Sequence, residues 1–107
     1  MLYETLDAAF KARDIDAILA AYHPDYTFVR HQSDLVLSLA DWTPMMEKMV
    51  ADENWVIHEN RCLYENDDIL VLHSMMSFPD GSREAVMAVH TKKDGKLFRT
   101  ETGATPL

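Results

Sequence analysis

Glycine is almost missing from this sequence: Gly81, Gly95 and Gly103 are the only three among 107 residues. Phosphate-cradling loops such as G-x-G-x-x-G and the P-loop need two or more glycines within a few residues, so both are excluded. No G-x-S-x-G occurs, which removes the strained turn that presents a hydrolase serine. Cysteine is scarcer still, with Cys62 alone. It has no partner for a disulfide inside the chain or for a C-x-x-C metal site, and free cysteine is most often a small core residue. Basic residues are outnumbered, 10 against 18 acidic ones, and the net charge is −8. A chain that acidic repels phosphate backbones, so no nucleic-acid partner is expected. Nothing approaches the ~20 consecutive apolar residues needed to span a bilayer, so no membrane partner is expected either. The stretch from Met1 to Asp7 carries acids where a secretory leader would carry basic residues, and the expectation is a cytoplasmic protein.

What is present fits one soluble domain over residues 1–107, with 48% hydrophobic and 26% charged residues. Leu2, Leu6, Ala9 and Phe10 recur at helical spacing, and Ile15, Ile18, Leu19 and Tyr22 repeat the pattern after Asp14, a good N-cap. His23-Pro24-Asp25 is expected to end that second helix, because proline disfavours helix in the residue before it. Tyr26 to His31 is β-branched and aromatic and reads as a strand, followed by a short run at Leu35-Val36-Leu37. A third helix is expected with Thr43 as cap and Pro44 in its first position, burying Met45, Met46, Met49 and Val50.

From Asn54 onward the period switches to two. Strands are expected over 54–65, 68–78, 83–93 and 96–102, with turns at Asn66-Asp67, Asp80-Gly81 and Asp94-Gly95. Both Asp-Gly pairs read as type I′ hairpin turns, whose two central residues need positive φ. Helices first and an antiparallel meander last define an α+β fold.

Three stretches carry a family resemblance. Arg13-Asp14-Ile15-Asp16-Ala17-Ile18 looks like the start of a characteristic second helix, Tyr22-His23-Pro24-Asp25-Tyr26-Thr27-Phe28 like an entry into a first strand, and Asp94-Gly95-Lys96-Leu97 like a last hairpin. Together, in order and over nearly the whole chain, they resemble the SnoaL-like branch of the NTF2-like superfamily. The resemblance implies a cystatin-like cone: three helices from the N-terminal half packed on a strongly curved antiparallel sheet, with a pocket between. It also implies a homodimer, and functions that range from isomerases, dehydratases and cyclases to binding proteins without chemistry. In the steroid-isomerase branch a catalytic base stands at the position of Arg30, an oxyanion-binding tyrosine at Leu6 and an acid at His90. All three differ here, so that mechanism is not expected.

Alternation leaves both faces of the middle strands apolar. The resemblance implies that Arg30, His73, Met75, His90, Thr100 and Thr102 lie on the concave face, with Tyr26 and Phe28 lining the same pocket. Either Trp55 and Ile57 or Val56 and His58 point inward from the first meander strand. His23, His31, His58, His73 and His90 show no H-x-H, H-x-x-x-H or H-E-x-x-H spacing, so neither a metal nor another cofactor is expected. The seven methionines are plain core filling or an adaptable pocket lining, and Arg83, Lys92, Lys93, Lys96 and Arg99 are either a site for an anionic ligand or, more often for such clusters, a charged sheet edge.

His73 and His90 interrupt apolar strands, and buried imidazoles need partners. The expected site therefore joins His90 as general base, His73 as its alternative and Arg30 as anchor for a carboxylate or developing oxyanion. The expected ligand is a small apolar or carbonyl-containing compound. Two functions of different class stand: a metal-independent isomerase, lyase or cyclase, and a ligand-binding or dimerisation module. A homodimer is expected through a sheet face carrying Leu70, Leu72, Met76, Phe78, Met87, Val89 and Leu97.

Overall fold

The computed structural model describes residues 1–107, and its elements follow the order helix, helix, strand, strand, helix and four further strands. Helix α1 (Leu2–Lys11) ends at Arg13, whose φ of 53° puts a non-glycine residue in the left-handed region. Arg13 N–H donates to the Phe10 carbonyl and Asp14 N–H to that of Ala9, the two bonds of a Schellman cap. The Arg13 side chain then reaches across to the carbonyls of Val50, Asp52 and Trp55, tying the end of α1 to the entry of the meander. Asp14 caps α2 (Ile15–Leu19), accepting from the Ala17 N–H at 3.2 Å.

Strand β1 (Tyr22–Arg30) begins earlier than expected. His23-Pro24-Asp25 does not end a helix; it lies in β1 where the register slips between Tyr22 and Thr27. The chain is already committed to the sheet there, since the Ala21 carbonyl accepts from the Leu97 N–H at 2.8 Å. A 3-10 turn (His31–Ser33) leads to β2 (Leu35–Ser38). Helix α3 (Leu39–Ala51) is capped by Ser38 and not by Thr43. Ser38 Oγ accepts from the Asp41 N–H, and Thr43 sits inside the helix, its hydroxyl donating to the Leu39 carbonyl at 2.7 Å. Ser38 is the stronger start signal because its hydroxyl both accepts from the Asp41 N–H and donates to Asp41 Oδ2 at 3.2 Å. Pro44 accordingly falls in the second turn, where it forfeits one intrahelical bond.

The meander consists of β3 (Val56–Glu65), β4 (Ile69–Ser77), β5 (Arg83–Lys93) and β6 (Lys96–Pro106). All six strands form one sheet in the order β2-β1-β6-β5-β4-β3. Every neighbouring pair is antiparallel except β1 and β6, which run parallel. The helices pack on one face of this sheet, giving the expected α+β architecture. Leu6, Ile18, Tyr22, Trp42, Leu70 and Leu97 form the heart of the core, with the Tyr22 and Trp42 rings 4.5 Å apart.

The two Asp-Gly hairpins differ. Asp94 and Gly95 both have positive φ (55° and 74°), as a type I′ turn requires. At the other, Gly81 alone does, with φ of 87°. Pro79 presets a type I turn, the Gly81 N–H donates to the Phe78 carbonyl, and the Phe78 N–H donates to the Ser82 carbonyl. The loop thus has three residues instead of two, which shifts the β4–β5 register by one. A one-residue shift turns every side chain of a strand to its other face. Leu70, Leu72, Ser74 and Met76 therefore look inward, and Val71, His73 and Met75 outward.

This revises the expected dimer face. Leu70, Leu72 and Leu97 are buried in the core, while Met76 and Phe78 line the interior cavity. Only Met87 and Val89 of that set stand on the exposed outer face.

Candidate functional site

A cavity of about 590 Å³ lies between the concave face of the sheet and helices α1 and α3. Its walls are mainly apolar: Leu6 and Phe10 from α1, Trp42 and Met46 from α3, and Leu72 and Val86 from the sheet. That volume falls within the range of small-molecule sites. The lining residues exposed to solvent, Pro79, Asp80 and Ser82, sit together on the β4–β5 hairpin, so this end is the mouth. The opposite end is floored by His90, Thr100 and Tyr26, each 6% exposed or less.

The floor is a chain of hydrogen bonds laid across neighbouring strands. His90 on β5 pairs with Thr100 on β6, which in turn lies beside Phe28 on β1. The Tyr26 hydroxyl donates to Thr100 Oγ1 at 2.6 Å, and the same oxygen lies 2.6 Å from His90 Nδ1. His90 Nε2 makes no hydrogen bond within the protein, yet it is not sealed; the only sealed side-chain polar atom without a partner is Trp55 Nε1. Burial drives the His90 pKa down to about 4, so the imidazole is neutral at physiological pH. Burial likewise pushes the Tyr26 hydroxyl far above its ordinary range, opposed only by its bond to Thr100, and it stays protonated.

At the mouth the chemistry is different. Arg30 Nη2 donates to both carboxylate oxygens of Glu84, at 2.8 and 3.1 Å, and to Gln32 Oε1 at 3.1 Å. Glu84 is nearly buried and Arg30 about one quarter exposed. Asp80, on the hairpin at the mouth, is held below its usual carboxylate range by hydrogen bonds from the Ser82 hydroxyl and N–H. A third polar spot lies on the far wall, where Ser74 Oγ donates to Asn60 Oδ1 at 2.7 Å and Asn60 Nδ2 donates to Asp7.

The expected residues thus divide. His90, Arg30, Tyr26, Phe28, Thr100 and Thr102 line the cavity. His73 and Met75 do not, because the one-residue register shift turns them to the outer face. Ile57 and Trp55 are the inward pair at the start of β3, and His58 is exposed, bonded to Ser77 Oγ at 2.6 Å. Arg30 is engaged by a carboxylate of the protein, and six residues separate Glu84 from His90 along β5, a strand path of roughly 20 Å. The three expected groups therefore do not converge on one point. Glu84 escaped the sequence reading, although it shares strand parity with His90, and a carboxylate on a buried face calls for a cation. No group of three or more His, Cys, Asp or Glu side chains comes together.

An α+β cone with a lined interior cavity is the class that fold and site define. The chain belongs to the SnoaL-like domain family, whose model matches residues 3–100. No curated protein matches it. An NTF2-like protein of unknown function from Cytophaga hutchinsonii superposes with a TM-score of 0.75 at 15% identity, over 97% of this chain and 87% of the other. The "putative ketosteroid isomerase" of Kribbella flavida superposes with a TM-score of 0.80 at 14% identity, over 97% of this chain and 75% of the other. A SnoaL-like protein of unknown function from Burkholderia thailandensis gives 0.70 at 14% identity, over 95% and 89%. At such identities the likeness is one of fold.

Proposed function

We propose that the protein binds a small, largely apolar carbonyl compound in this cavity and acts on it through His90, as an isomerase, lyase or cyclase would. One observation carries this reading: a neutral, buried imidazole whose second nitrogen has no protein partner, at the floor of an apolar cavity of about 590 Å³. In such surroundings a hydrogen bond to the reacting oxygen is worth far more than in water. His90 holds the oxygen on which enolate charge develops while solvent takes the α-proton, so the chemistry calls on neither a nucleophile nor a resident metal. The test follows exchange of α-protons for deuterium on 2-tetralone by NMR. Acceleration over buffer that disappears in His90→Leu supports the reading; equal rates with and without protein refute it.

A second reading, ligand binding without chemistry, is favoured by the state of Arg30. Its charge is already neutralised by Glu84, which leaves His90 without a charged helper. Under that reading 2-tetralone binds and its protons do not exchange faster. In either case we assign homodimer contact to the outer face of the meander. Val71 lies opposite Val89 there and His73 opposite Met87, which makes one continuous patch. Light scattering that gives the monomer mass at micromolar concentration would refute this assignment.

A further inference from the structure

Which way His90 works at the cavity floor is decided by hydrogens that belong to its neighbours. Three polar groups meet at Thr100 Oγ1: the Tyr26 hydroxyl, the Thr100 hydroxyl and His90 Nδ1. A threonine hydroxyl offers one hydrogen and two acceptor positions, and a neutral imidazole carries one hydrogen on one of its two nitrogens. Neither Tyr26 nor Thr100 has a further side-chain hydrogen-bond partner, and both are 2% exposed. Suppose His90 carries its hydrogen on Nδ1 and donates it to Thr100. If Thr100 then passes its own hydrogen to Tyr26, the Tyr26 hydrogen is stranded; if Tyr26 keeps donating, the Thr100 hydrogen is stranded. One ordering uses both hydroxyl hydrogens and leaves over only a hydrogen that is not sealed: Tyr26 O–H donates to Thr100, Thr100 O–H donates to His90 Nδ1, and the imidazole hydrogen sits on Nε2, at the cavity. Buried polar hydrogens in folded proteins are overwhelmingly satisfied, so this ordering prevails.

We propose that Thr100 is a positioning residue that fixes His90 as the Nε2–H tautomer, so that the cavity floor presents a hydrogen-bond donor and selects ligands with an acceptor oxygen at that end. His90 then meets its ligand as a donor, not as the proton acceptor the sequence suggests. The oxygen it suits is that of an uncharged ketone or aldehyde, or the enolate oxygen that such a group becomes. Tyr26 takes part by filling the Thr100 acceptor position, which denies Thr100 any acceptor but His90. The ligand half of this proposal rests on the carbonyl reading above; the tautomer half is a property of the chain by itself.

Nitrogen-15 NMR of histidine-labelled protein at pH 7 separates the two halves. The wild type is expected to show His90 protonated on Nε2 with an unprotonated Nδ1, and a proton on Nδ1 would overturn the proposal. Thr100→Val, which keeps the side-chain shape, is expected to lose the single tautomer, and Thr100→Ser to restore it; a Thr100→Val protein with the wild-type signature would also overturn it. If Thr100→Val does not fold, the wild-type and Thr100→Ser spectra still decide. The ligand half is read from 2-tetralone and its parent hydrocarbon tetralin, which differ by the carbonyl oxygen. Wild type is expected to bind the ketone about tenfold more tightly, the worth of one good hydrogen bond, and Thr100→Val to retain about twofold. Equal binding of the two by wild type would overturn the donor role. If neither binds, the carbonyl reading falls, while the tautomer is still judged by its spectrum.

Discussion

The floor and the mouth of the cavity are both polar, yet they are organised on opposite terms. At the mouth a full charge meets a full charge: Arg30 and Glu84 neutralise each other, and the pair reaches over β6 to join β1 to β5. At the floor no charge is present, and three neutral groups are arranged so that one donor is left over. A self-satisfied pair stabilises and orders the opening but has little to offer a ligand. An open-ended chain contributes less to stability and keeps a valence for binding. Polarity in a pocket therefore says little about function until its hydrogen bonds have been counted.

The sharpest way to break the contrast is at the mouth. Arg30→Leu strands the Glu84 carboxylate on an apolar wall. Removing one partner of a largely buried ion pair should cost about 3 kcal/mol. Urea unfolding at pH 7 should show that loss. Glu84→Gln should cost only about 1 kcal/mol, because the partly exposed guanidinium can turn to water.

Acid tests the floor. The His90 pKa is depressed to about 4, below an unfolded value near 6.5, so the unfolded chain binds the proton first. Its contribution is fully present above about pH 6.5 and is lost as pH falls toward 4, an effect of about 3 kcal/mol. Asp7 and Glu65 act with the same sign at lower pH. Burial alone would raise both, but Lys11 and Asn60 for Asp7, and Lys92 and the Leu2 and Tyr3 N–H groups for Glu65, hold them below the usual range. Their contributions are present above the ordinary carboxylate range and fade as pH drops through it. Denaturation curves for His90→Leu should therefore be flatter than wild type between pH 6.5 and 4 and fall alike below.

Smaller effects sharpen the picture. Tyr26→Phe removes one buried hydrogen bond and should cost about 1 kcal/mol in thermal unfolding. It should leave the preference for 2-tetralone over tetralin intact, since Thr100 still donates to His90. Gly81→Ala meets nothing within 4 Å, so its cost is backbone strain at φ of 87° alone, about 1 kcal/mol. Hydrogen exchange should report that loosening at residues 78–84, at the mouth, and not at Thr100.

Much of the fold was legible because its signals were local. The period switch at Asn54, the Asp14 cap and the Asp94-Gly95 turn each name their structure without help from distant residues. The site was only half legible, and one residue explains most of the loss. A two-residue turn at Asp80-Gly81 pairs His73 with the cavity-facing side of β5; the three-residue loop that Pro79 imposes pairs Leu72 with Ala88 instead. With both faces of β4 apolar, nothing in its alternation could correct the error. A second irregularity hides in β6, where the register slips beside Phe98 and brings Leu97 and Thr100 to the same buried face. The Arg30–Glu84 pair joins residues 54 positions apart, and strand parity alone does not specify such a meeting.

The place of β6 has a consequence for how the molecule comes together in time. It is the last strand in sequence but a central one in space, flanked by β1 on one side and β5 on the other. Until residues 96–106 arrive, β1 and β2 form an isolated hairpin, and β3, β4 and β5 form a separate meander. Joining them requires contacts between Phe28 and Thr100 and between Arg30 and Thr102, across more than seventy positions. Contacts so distant are slow to form, which places folding in the slower range for a domain of this size. Two residues of the cavity floor, Tyr26 and Thr100, come from opposite sides of that junction. The donor at the end of the cavity is thus assembled in the same event that closes the sheet, and a half-folded chain has no competent pocket.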